Sequence, residues 1–174
     1  DPKSDLPENQ TETTKRFRAD DAAQSQLANT KRLADVSADD FDAVYYPGGH
    51  GPMWDMPDNA TSIALIEAFV KADKPVSAVC HAPVALTNVR GKDGEYLVKG
   101  KRVTGFTNTE EAAVGLDHVV PFLLEDRLKE RGGIYNKADD FAPYVQIDGL
   151  LVTGQNPASS GPGAEELLKL LRSA

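Results

Sequence analysis

Between residues 59 and 74 the chain reads NATSIALIEAFVKADK, with apolar side chains at 63, 65, 66, 69 and 70. That helical recurrence predicts an amphipathic helix, and Asn59 offers it an N-cap. On either side the pattern changes to short, nearly continuous apolar runs, DAVYYPGG (42–49) and PVSAVC (75–80). Runs of this kind predict strands covered on both faces. Further on, HAPVALTNV (81–89) predicts a helix with Pro83 in its first turn, where proline is tolerated. GEYLVKGKRVTGF (94–106) predicts a hairpin about Lys99-Gly100 that leads into a third strand. Two helices are expected over 109–116 and 119–133, the second closed by glycines. YVQIDGLLVTG (144–154) predicts two strands about an Asp-Gly turn, and 163–174 a last amphipathic helix. Before all of these, residues 11–33 are expected to be helical with threonines at the start, and the polar, two-proline opening 1–10 to be a loop. Helices alternate with apolar strands, so the chain is expected to be an α/β sandwich, one domain over 1–174.

Composition narrows the function classes. A length of 174 residues suits one real core. A net charge of −8 leaves no basic stripe for nucleic acid. No apolar run approaches the ~18 residues that span a bilayer. The single cysteine forms no internal disulfide, so a cytoplasmic location is the default expectation. Three widely separated histidines, without H-x-x-x-H or C-x-x-C spacing, predict no metal site from the sequence.

The single cysteine stands where chemistry is expected. Cys80 closes an apolar strand and precedes His81 at a helix start, the junction where open α/β sheets gather reactive groups. A nucleophile there is presented on a sharp turn. The amides of the helix start favour an anion, so the thiol is expected to ionise more readily than a free one. His81 brings a group that exchanges protons near neutral pH. In YYPGGHGPMWDM (45–56) a strand runs into glycines that let backbone approach a ligand closely. The amides of Gly48 and Gly49, with that of His81, would form an oxyanion hole if the two loops are neighbours. His50 is a ligand, a base or a plain loop residue, and His118 a surface residue.

Taken together, YYPGGHGPMWD, AVCHAP, GKRVTGFTNTEE and LLVTGQNPASSGPGAEELL resemble the ThiJ/PfpI superfamily, relatives of class I glutamine amidotransferases. The likeness is greatest to the heat-shock chaperone-like branch that includes glutathione-independent glyoxalases (glyoxalase III). The resemblance implies a flavodoxin-like three-layer sandwich with a mostly parallel sheet. It implies Cys80 as nucleophile, His81 as its partner, Gly49 and His81 as oxyanion donors, and an acid from the pair Glu110 and Glu111. The family's spacing selects Glu111; the other glutamate then serves the helix N-terminus. Glutaminase chemistry is not implied, since G-x-C-x-G and H-x-E are missing. The family also begins with strands that have no counterpart before Asp1. The chain is therefore expected to be N-terminally incomplete, with a separate N-terminal fragment as one way of completing the sheet.

The implied activity needs no cofactor: methylglyoxal becomes lactate through a cysteine hemithioacetal, with protein deglycase activity alongside. A homodimer is implied as well. Three other functions fit the same residues. One is a holding chaperone presenting Trp54, Met53 and Met56; the others are a PfpI-type peptidase or amidase and a thiol redox sensor.

Overall fold

The computed structural model describes residues 6, 7 and 10–173, and the chain divides after Asp35 into two compact units. The loop expected over 1–10 lies largely outside the described residues. In the first unit the helix expected over 11–33 is two short helices, α1 (Glu12–Arg18) and α2 (Asp21–Ala28). Thr11 and Thr14 close a reciprocal cap at the start of α1. The break follows from Asp20, whose carboxylate accepts from the Ala23 amide and so starts a new helix.

The second unit is built on a four-stranded sheet of β1 (Val44–Tyr46), β2 (Val76–Val79), β5 (Val145–Asp148) and β6 (Leu151–Gly154), in the order β1-β2-β6-β5. β1, β2 and β6 run parallel, and β5 is antiparallel to β6. Every residue of the central strands β2 and β6 is buried, whereas the edge strands are half-buried. A second small sheet pairs β3 (Arg102–Val103) in parallel with β4 (Ile134–Tyr135). Helices cover both sides of the main sheet, which makes the unit the mostly parallel α/β sandwich expected. α4 (Ala60–Lys71) buries Leu65, Ile66 and Phe69, and the Asn59 side chain accepts from the Ser62 amide at its start. α7 (Ser160–Ser173) packs on β2 and β6.

Three local expectations are corrected. The hairpin over 94–106 is absent: the Lys99 amide donates to Tyr96 and the Gly100 amide to Gly132, so 94–101 is a series of turns. Arg102 gives its amide to the Asp148 carboxylate, and β3 finds a parallel partner instead. The helix over 119–133 begins only at α6 (Leu124–Glu130), because Pro121 disfavours the helical conformation in the residue before it. The segment after His81 is a buried 3₁₀ helix, Ala82–Leu86, rather than an α-helix. A short helix, α3 (Pro52–Asp55), follows the glycine loop after β1. It buries Met53 at 1% exposure and leaves Trp54 at 55%, so Met53 is not available as chaperone surface. α5 (Asn108–Ala113) follows β3, as expected for TEEAAVGL. No helix among the described residues is long and apolar enough to cross a membrane.

Candidate active site

Cys80 is the first residue after β2, and its backbone is held from both sides. Its amide donates to the Gly154 carbonyl and its carbonyl accepts from the Phe106 amide, each at 2.9 Å. Between these anchors φ is +64°, a left-handed conformation that costs a non-glycine residue energy and aims the side chain away from the strand. Gly48 makes the approach of the β1 loop workable. A Cβ there would lie 2.5 Å from Cys80 Cβ and 3.2 Å from its sulfur. Gly49 adopts φ +109°, and its amide and that of His81 both hydrogen-bond the sulfur.

The sulfur lies 3.4 Å from Nδ1 of His81. The other ring nitrogen, Nε2, is 2.6 Å from Oε2 of Glu111. An ionised carboxylate only accepts, so Nε2 then carries the ring proton and Nδ1 is free to take one from the thiol. The second oxygen of Glu111 is 2.8 Å from Nε2 of His50. The two imidazoles lie with centroids 3.9 Å apart, and Phe106 covers His81 at 4.3 Å. Cys80, His81 and Glu111 are 5%, 0% and 2% exposed, and His50 is 34% exposed. His50 is therefore the member of the cluster that meets solvent.

Burial changes the electrostatics from those expected of an elbow cysteine. Desolvation pushes the thiol up to about 11, against the opposing pull of the Gly49 and His81 amides, and Glu110 and Glu111 raise it further. The expectation of an easily ionised thiol is corrected: a five-residue 3₁₀ turn lends little dipole and the sulfur is buried. Desolvation also lowers the proton affinity of His81, which the Glu111 hydrogen bond partly restores. In the resting state the pair is thiol and neutral imidazole.

The adjacent glutamates have different surroundings. Glu110 joins the cap of α5, its Oε2 accepting from the Thr107 amide. Its Oε1 accepts from the Phe141 amide, Gln155 Nε2 and Asn156 Nδ2. Glu111, one position on, points to the histidines. The sequence left His50 open, and its place in the same glycine loop as Gly49 was the available signal. Phe106, Gln155 and Asn156 were not identified, since nothing in their spacing marks them. His50, His81 and Glu111 also present ligand-type atoms within 4.8 Å of one another, a grouping that no sequence spacing shows. His118 is 95% exposed at its side chain, as expected of a surface residue.

Residues 14–170 match the family model described as the DJ-1/PfpI family. Glyoxalase 3 of Candida albicans is 33% identical over 150 residues, covering 82% of this chain and 63% of that protein. Glutathione-independent glyoxalase HSP31 of Saccharomyces cerevisiae is also 33% identical, covering 84% and 64%. The chain thus spans slightly less than two thirds of these two relatives. Among solved structures, glyoxalase III of Candida albicans aligns with a TM-score of 0.88 at 26% identity, over 94% of this chain and 72% of that one. Rapid Encystment Protein 24 kDa of Francisella tularensis aligns at 0.85 and 38% identity, over 91% and 70%. With the motif residues gathered at one elbow and the match running through both units, the chain belongs to the DJ-1/PfpI family.

Proposed function

We propose that the protein is a glutathione-independent glyoxalase that converts methylglyoxal to lactate through a covalent adduct on Cys80. The observation that carries this reading is the continuous line of sulfur, imidazole and carboxylate, 3.4 and 2.6 Å apart, beneath two amides on a strained elbow. The names of the relatives supply the substrate class.

The sulfur attacks the aldehyde carbon while His81 Nδ1 takes the thiol proton, so a buried thiol with a high pKa is activated only as it reacts. The developing charge on the carbonyl oxygen is met by the amides of Gly49 and His81, and His81 then passes its proton to that oxygen, making the hemithioacetal hydroxyl and freeing Nδ1 again. A proton then leaves C1 for His81, giving an enediolate, and returns at C2, while the C1 hydroxyl proton passes to the C2 oxygen. The result is a lactate thioester on Cys80, and water releases lactate and restores the thiol. Glu111 keeps its Nε2 hydrogen bond throughout, holding the tautomer that leaves Nδ1 available.

The test is lactate formation from methylglyoxal without glutathione. Cys80→Ser should retain the circular dichroism of the parent and lose turnover by at least about 10³-fold. Turnover at the parental rate in that variant sinks the proposal.

A further inference from the structure

Glu111 divides its oxygens between two imidazoles, and it is not ion-paired with any Lys or Arg among the described residues. Glu110 beside it is likewise buried, and its carboxylate accepts from the neutral donors of Thr107, Phe141, Gln155 and Asn156. Two adjacent carboxylates withdrawn from water without a fixed cation form a strongly negative spot, costly unless positive charge comes to it. Nε2 of His50 and Nε2 of His81 each meet one oxygen of Glu111, and ligand-type atoms of the three residues lie within 4.8 Å of one another, drawn from three elements: the loop after β1, the elbow after β2, and α5. Two imidazole nitrogens and one carboxylate oxygen suit zinc and its neighbours, whereas magnesium and calcium take oxygen ligands. The partly exposed His50 gives an ion a way in.

We propose that His50, His81 and Glu111 bind one divalent ion of the zinc class, with solvent completing the coordination. Ligand bonds of about 2.0–2.2 Å hold tetrahedral donors roughly 3.3 Å apart, so the hydrogen-bonded pairs at 2.6 and 2.8 Å open by roughly 0.5–0.7 Å and donors as far apart as 4.8 Å close by up to about 1.5 Å. For each neutral ring the proton moves from Nε2 to Nδ1 and the Nε2 lone pair goes to the ion, so no proton is lost. In His81 this turns an N–H towards the Cys80 sulfur, where an acceptor stood before. A loaded site therefore cannot take the thiol proton, and metal binding excludes the turnover proposed above. That consequence rests on the glyoxalase reading; the metal site does not.

The probe is Co(II) added to the metal-free chain at neutral pH, followed by ligand-field absorption, with Zn(II) calorimetry in parallel. One equivalent should bind with visible d–d bands, and Mg(II) should give no heat. His50→Ala, a change at a partly exposed loop, should weaken binding by more than about 100-fold, while Cys80→Ser should leave it within a few-fold. Absent d–d bands, or an affinity that His50→Ala does not change, overturns the proposal. Loss of binding in Cys80→Ser with retention in His50→Ala overturns it too, placing the ion on the thiol. None of these readouts depends on lactate formation, so failure of the metal site and failure of the glyoxalase reading are separately visible.

Discussion

Cys80 combines two costs that its sequence position does not reveal: a left-handed backbone and a desolvated thiol. With its pKa pushed up to about 11, only a small fraction is thiolate at neutral pH, and that fraction rises tenfold for each pH unit until the pKa is reached. Alkylation of Cys80 by iodoacetamide, followed by mass spectrometry, should accelerate from pH 7 to beyond pH 10. A plateau below pH 8 would show that the thiol is ionised by its neighbours after all. Gly48 sets a second limit at this scale. The methyl of Gly48→Ala would meet Cys80 Cβ at 2.5 Å, so either the glycine loop or the elbow must shift. The expected cost is about 1–3 kcal/mol in thermal or denaturant unfolding, with a loss of lactate formation larger than that loss of stability explains. At this scale the adjacency of Cys80 and His81 was legible, since neighbours in sequence stay neighbours in space. The division of labour between Glu110 and Glu111 was legible only through the family's spacing, which selected Glu111. One helical step rotates a side chain by about 100°, so the residue types alone left the two glutamates open, and the packing of α5 sets which of them meets the histidines.

The placement of α5 depends on Glu125 of α6. Its carboxylate accepts from the Asn108 amide at the start of α5 and pairs with Lys129 and Lys137. Burial works to raise its pKa, but the Lys129 hydrogen bond, the Asn108 amide and Lys137 outweigh this and hold the carboxyl below its ordinary value. A depressed folded pKa means stability that is fully present above the unfolded carboxyl value and lost as pH falls through the folded one. Glu125→Gln should therefore lower stability by about 1.5–3 kcal/mol at pH 7, and the difference from the parent should narrow below pH 4. A gap that stays constant between pH 7 and pH 3 would remove the charge from this account. Elements with a strong local signal were legible: the capped amphipathic α4, and β5 and β6 about Gly149. The segments 94–106 and 119–133 were not. Their apolar residues suited a hairpin and a long helix, but turn hydrogen bonds and Pro121 decided otherwise.

Across the whole second unit, the reactive cluster draws on segments that follow the carboxyl ends of β1, β2 and β3, where parallel sheets leave their crevices. Glu110 ties these to the segments before β5 and after β6, joining Thr107, Phe141, Gln155 and Asn156 through one buried carboxylate. Glu110→Ala would strand several buried donors, and a loss of about 2–4 kcal/mol is expected, read as a fall of several degrees in Tm. Limited proteolysis should then cut first near residues 139–142. A Tm within a degree of the parent would mean that water replaces the carboxylate at no cost. The sequence by itself determined the class of fold, the strand leading into Cys80 and the family, because periodicity and contiguous motifs are local properties of the chain. Tertiary structure alone decided that the thiol is buried, that Glu110 is tied to Phe141, Gln155 and Asn156, and that His50 joins His81 and Glu111. Burial and the convergence of residues 30 or more positions apart depend on how the strands pair and what covers their ends, and no local pattern encodes that.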